Sequence, residues 1–121
     1  MKTDAAMPPR TPSKTDVLQG TLDLMVLQTL DTMGPQHGYS IAARLEQVSS
    51  GALQLNMGTL YPALMRLEQR GLVKGSWGTT DTNRKARFYA LTAAGRRQLV
   101  KEKEAWDQMA GIIHALLRGE A

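Results

Sequence analysis

The chain has no cysteine and only two histidines, His37 and His114. The first absence excludes a disulfide framework, a thiolate nucleophile and cysteine-ligated zinc. The two imidazoles fall in distant parts of the predicted topology, and no cluster has metal-ligand spacing. A glycine-rich phosphate loop is missing, as is a convincing pair of catalytic carboxylates, since Asp23 and Asp31 read as solvated helix positions. The expectation is no enzyme, no catalytic residue, no cofactor and no metal. Apolar runs are also short of the roughly 20 residues that a membrane-spanning helix needs. The first sixteen residues carry charge and three prolines but no apolar core, so they read as a flexible arm over 1–16, not a secretory signal. A cytoplasmic location is expected.

What remains is a chain of 121 residues, 42% hydrophobic, with a net charge of +4. That is one domain with one modest core. The charge total says little, but its distribution is uneven. From Asn83 to Lys103 seven basic side chains face one acid, Glu102.

Hydrophobic periodicity predicts a helix from Val17 to Met33, N-capped by Asp16 and ended by the Gly34–Gly38 turn. A second helix is expected over Tyr39–Val48, with Ile41, Leu45 and Val48 on one face. The Leu53–Leu55 segment alternates and suggests a stub of strand. Asn56 is placed to cap a third helix that runs to about Arg70 and stops at Gly71. Its buried face is Met57, Leu60, Leu64 and Leu67, which leaves Gly58, Thr59, Pro62, Arg66 and Gln69 outward. Pro62 predicts either a kinked first turn or a regular helix that begins nearer Thr59. Strands over Leu72–Trp77 and Arg87–Leu91 flank a polar turn, forming a hairpin with a basic returning arm. Alternation separates Arg87 and Tyr89 from Phe88. Thr92 should cap a last helix, interrupted early by Gly95. Along that helix Leu99, Trp106 and Ile113 lie seven apart, with Met109 and Leu116 between them. Such a narrow seam favours a helix partner.

The order helix, helix, helix, hairpin, helix is that of a winged helix-turn-helix: mostly α, with a small β-hairpin and a long C-terminal helix. It divides the chain into the arm, a winged helix-turn-helix over 17–91 and a dimerisation helix over 92–121. The segments GTLDL (Gly20–Leu24), GYSI (Gly38–Ile41), GTLYPAL (Gly58–Leu64), RLEQRGL (Arg66–Leu72) and RKARFYALT (Arg84–Thr92), followed by Gly95 and Arg96, resemble the successive signatures of the PadR family of bacterial transcriptional regulators. The likeness extends over about residues 17–117. The single helix after the wing is similar to the family's short-tailed subgroup, which dimerises through it. Two departures stand out: Thr79, Thr80, Asp81 and Thr82 occupy a loop where basic residues would suit DNA better, and Phe88 stands where tyrosine is frequent.

A helix fits the major groove, and its outward side chains reach base edges. Asn56, Thr59, Pro62 and Arg66 therefore become candidate DNA contacts. Arg66 suits a bidentate guanine contact or a phosphate, and Thr59 a phosphate or a thymine methyl. The resemblance implies that Tyr61 aims its hydroxyl at the DNA backbone, while its wheel position fits partial burial equally well. Arg84, Lys85 and Arg87 on the wing would track phosphates or enter a minor groove. Leu99, Trp106, Met109, Ile113 and Leu116 form the expected homodimer interface. Trp106 has two readings: it fills that interface, or it lines an effector pocket and stacks on a flat aromatic, as the resemblance implies for some family members. The expected partners are double-stranded DNA, a second copy and a small aromatic effector. Repression is implied by the resemblance alone. The competing reading is a winged-helix module for protein–protein interaction, without DNA binding.

Overall fold

A computed structural model describes residues 14–119 of the chain. The elements are α1 (Lys14–Met33), β1 (Gln36–His37), α2 (Gly38–Val48), α3 (Met57–Gln69), β2 (Val73–Thr79), β3 (Lys85–Leu91) and α4 (Ala93–Leu117). Antiparallel pairing orders the sheet β1-β3-β2. The winged helix with a C-terminal helix is therefore the fold. Most of the arm, residues 1–13, lies outside the described residues. Residues 14–16 belong to α1, which therefore begins before Asp16.

The core is built by Leu22, Val26, Leu27 and Leu30 of α1, Ile41 and Leu45 of α2, and Leu60, Ala63, Leu64 and Leu67 of α3. Leu72, Val73, Tyr89 and Leu99 close it from the hairpin and α4. The helical spacing of these residues produces one apolar stripe per helix, and burying the stripes together removes them from water. Met57 packs at the core's edge.

Local chemistry sets the boundaries of α3. The Asn56 side chain accepts from Thr59 N–H at 2.9 Å, capping the start. At the far end Gly71 takes φ +73°, while Gly71 N–H and Leu72 N–H donate to the Glu68 and Leu67 carbonyls. A β-carbon disfavours that left-handed turn, so glycine ends the helix there. Pro62 lies inside α3, which nonetheless begins at Met57. The carbonyl that loses its donor belongs to Gly58, in the exposed first turn where water can replace it.

Several expectations need correction. The segment after α1 is more than a turn, because Gln36 and His37 pair with Tyr89 and Phe88 of β3. His37 then caps α2, its Nδ1 accepting from Ser40 N–H at 3.3 Å, so α2 begins at Gly38. Leu53–Leu55 is not a strand, since no segment among the described residues pairs with it. Val48, assigned to the buried face of α2, is exposed. Both hairpin strands run further towards the tip, to Thr79 and from Lys85, and Thr80 N–H donates to the Arg84 carbonyl across the turn. Gly95 does not interrupt α4. It is buried in the first turn, where Thr92 Oγ1 accepts its N–H at 2.9 Å.

Candidate nucleic-acid interface

The buried leucines of α3 leave a contrasting outer surface. Asn56, Gly58, Pro62, Met65, Arg66 and Gln69 are exposed, Tyr61 is partly so, and Thr59 is half-buried. The hairpin lies beside this surface, with Arg84 and Lys85 exposed at the turn end of β3. Between the hairpin, β1 and the start of α2 runs a broad groove of about 1090 Å³. Its walls bring Tyr61 together with Arg84, Lys85 and Arg87, four of the residues singled out from the sequence. Arg66 is outside the groove, on the α1 side of α3.

The two inner arginines are already engaged. Arg66 Nη2 donates to Asp23 Oδ1 of α1 at 3.1 Å, with 43% of the Arg66 side chain exposed. Arg87 Nη2 donates to Glu68 Oε2 of α3 at 2.7 Å. The hydrogen bond to Glu68 raises the Arg87 pKa above its ordinary value, so this guanidinium is fixed as a cation. Burial pushes the Tyr89 phenol up, and Arg87 beside it opposes that shift. Asp23 is thus a partner of α3, not a solvated position. Asp31 is likewise paired, with Arg96 at 3.8 Å. Arg84 and Lys85 carry the accessible positive charge at the wing's tip. Lys85 Nζ lies 5.4 Å from the centre of the Trp77 ring.

Two aromatic residues at this surface were not singled out from the sequence. Tyr39 is 68% exposed at the start of α2, and Trp77 is 65% exposed on β2, opposite Arg87. The signal for Trp77 was its register: it faces the basic strand, where burial could not be assumed. Phe88 turns to the other side of the sheet, where its ring meets His37 edge-on at 5.2 Å between centroids.

The residues assigned to a dimer seam divide. Leu99 is 3% exposed within the core, so it is unavailable to a second subunit. Trp106, Met109, Ile113 and Leu116 are exposed, together with Ile112 and Leu117, which the seven-residue pattern did not include. Trp106 also lines an apolar pocket of about 480 Å³ between α1, α2 and α4, with Met25, Leu45, Val48 and Leu53. Among the described residues no helix is long and apolar enough to cross a membrane.

The comparisons agree with this architecture. The model of the family described as "Transcriptional regulator PadR-like family" matches residues 26–101. The chain is 40% identical over 80 residues to "Uncharacterized 37.1 kDa protein in transposon TN4556" from Streptomyces fradiae, covering 66% of this chain and 21% of that one. It is 35% identical over 65 residues to "Transcriptional regulator Rv3488" from Mycobacterium tuberculosis, covering 54% of this chain and 60% of the relative. The chain thus spans about a fifth of the first relative's length and three-fifths of the second's. Among solved structures it resembles a PadR-like transcriptional regulator from Bacillus cereus with a TM-score of 0.74 and 25% identity. That match covers 86% of this chain and 98% of the other.

Proposed function

This chain belongs to the PadR-like family of transcriptional regulators, and from that premise we propose that it is a DNA-binding repressor acting as a homodimer on a near-palindromic operator. Regulators of transcription, not enzymes, make up the family and its structural neighbours. One observation carries the DNA-binding reading: the face of α3 opposite its buried leucines is exposed, and it lies beside a hairpin with free cations at its turn. Thr59, Pro62, Arg66 and Asn56 would meet the major groove. Tyr61, Arg84 and Lys85 would meet phosphates. A second α3, related by two-fold symmetry, would reach a half-site roughly 34–36 Å away. The work of such a protein is at the chromosome, which goes with a cytoplasmic location.

Salt dependence tests the reading. With Arg66 and Arg87 paired internally, the two cations at the wing tip of each subunit would displace about four counterions from a dimer's DNA. Affinity for a random-sequence duplex should then fall roughly a hundredfold between about 50 and about 200 mM salt. A winged-helix module for protein partners would bind weakly and respond little, and that result would reject DNA binding.

Effector binding at Trp106 is supported by the pocket it lines, whose volume is in the range of small-molecule sites. A flat aromatic stacked on the indole would bias one separation of the two α3 helices, provided it binds that arrangement better. Titration with planar aromatics should quench Trp fluorescence, and Trp106→Ala should abolish binding. Binding that survives the substitution would place the site elsewhere.

A further inference from the structure

Glu68 does not point at DNA-reading chemistry, yet it lies at the junction of everything that would read DNA. Its Oε2 accepts from Arg87 Nη2 on β3 at 2.7 Å and from Gly75 N–H on β2 at 3.3 Å. One carboxylate on the recognition helix therefore holds both strands of the wing. The sequence leaves room for this contact. Gly75 pairs with Tyr89, two residues from Arg87 on the same face of β3. A β-carbon at position 75 would sit 2.6 Å from Arg87 Nε, so any side chain there would block the path of the guanidinium to Glu68. Two rings flank that path, with the guanidinium carbon 6.0 Å from the centre of Trp77 and 5.9 Å from that of Tyr89. The Arg87 and Glu68 side chains are 35% and 33% exposed, so solvent partly screens the pair and the contact acts mainly through its geometry.

Resting on the DNA-binding reading above, we propose that Glu68 and Arg87 form a clasp that fixes the wing against the recognition helix, so that Arg87 is a positioning residue and not a phosphate ligand. The lever is long. From Gly75 to the turn at Thr80 the strand spans roughly 16 Å, so a tilt of about 10° at the clasp moves the tip by roughly 3 Å. That displacement is the length of a hydrogen bond, enough to lift Arg84 and Lys85 off the backbone they would contact.

The alternative role for Arg87, a phosphate ligand masked by Glu68, predicts the opposite sign. The probe is a duplex selected from a random pool by the wild-type protein. With a clasp, Glu68→Gln and Arg87→Gln each weaken binding about tenfold and lower the salt slope alike, because either one lifts Arg84 and Lys85 off the backbone. The double variant is then little worse than either single one, because both break one contact. With a masked ligand, Glu68→Gln tightens binding and does not lower the salt slope, whereas Arg87→Gln, present twice in the dimer, lowers it by about 1.8. Asp23→Asn supplies the electrostatic reference, since it frees Arg66 from a carboxylate without touching the clasp. If Glu68→Gln tightens binding as Asp23→Asn does, the clasp is overturned. The amide resonance of Gly75 gives a readout without DNA: it should shift in both Gln variants and hold near its wild-type position in Arg87→Lys. An unmoved Gly75 resonance in Glu68→Gln also overturns the clasp. Failure of the wild-type protein to select any duplex would remove the DNA-binding reading and leave the Gly75 result to judge the contact.

Discussion

Alanine at position 95 should lower the stability of the fold by about 2–4 kcal/mol. Helix propensity argues the other way, since alanine is favoured over glycine by about 0.8–1.0 kcal/mol within a helix. Packing decides the sign. A β-carbon on Gly95 would lie 2.1 Å from the Leu72 carbonyl oxygen and 2.8 Å from Leu91 Cδ1. The Leu72 carbonyl cannot easily retreat, because it accepts from Thr92 N–H at 3.1 Å and shares the Thr92 Oγ1 proton, at 3.1 Å, with the Gly71 carbonyl at 2.7 Å. Relief would require α4 to move away from the turn after α3, breaking those bonds together with the Thr92 cap. Overpacking a close contact costs about 1–3 kcal/mol, and each lost hydrogen bond about 1 more. Against that sum the propensity gain is the smaller quantity. A domain of this size should lose roughly 10 °C or more in Tm. Gly111 on the same helix has nothing within 4 Å of the equivalent β-carbon, so Gly111→Ala is the matched control and should not destabilise. Equal melting of the Gly95→Ala variant and the wild type would refute the close approach.

The same glycine illustrates how far the sequence could be read. A glycine early in a helix reads as an interruption, because its local propensity is poor. Its true reason, contact with a carbonyl 23 residues earlier, leaves no mark in any local pattern. Local signals succeeded where the physics is local. Asn56, Gly71 and Thr92 bound α3 and open α4 through hydrogen bonds within a few residues of themselves. The strand at Gln36–His37 escaped notice because two residues are too few for alternation, and only pairing with β3 makes them a strand. For the candidate site, the periodicity of α3 told which side chains turn outward. It could not tell that Asp23, 43 residues away, meets Arg66, or that Glu68 meets Arg87. Charge partners across the fold are set by tertiary placement, so the sequence showed cations and the structure shows which remain free.

Leu99 and Trp106 make the same point and lead to the second large effect. They are seven residues apart and share a face of α4, yet Leu99 is in the core and Trp106 is 48% exposed. The reason is that α4 rests on its own subunit only through its first turns. From Lys103 onward every described residue is exposed except Ala110 and Ala115, which are half-buried. That stretch still carries Met109, Ile112, Ile113, Leu116 and Leu117. An apolar stripe with no core beneath it suits the proposed packing on a second copy. Glutamate at Ile113 and Leu116 should therefore separate the subunits. In the proposed homodimer either substitution, made singly, appears twice, so a cost of about 2–3 kcal/mol per copy becomes about 4–6 kcal/mol per dimer, or a 10³–10⁴-fold weaker association. Sedimentation at micromolar concentration should report a lone subunit with intact helical circular dichroism, because the leucine core of α1, α2 and α3 is untouched. Affinity for the selected duplex should fall in parallel by about 10²–10⁴, the gain that linking two half-site contacts confers. A variant that sediments as a single subunit yet holds the duplex as tightly as the wild type would show that one recognition helix suffices. A wild-type protein that is already a lone subunit would leave the apolar end of α4 for another partner.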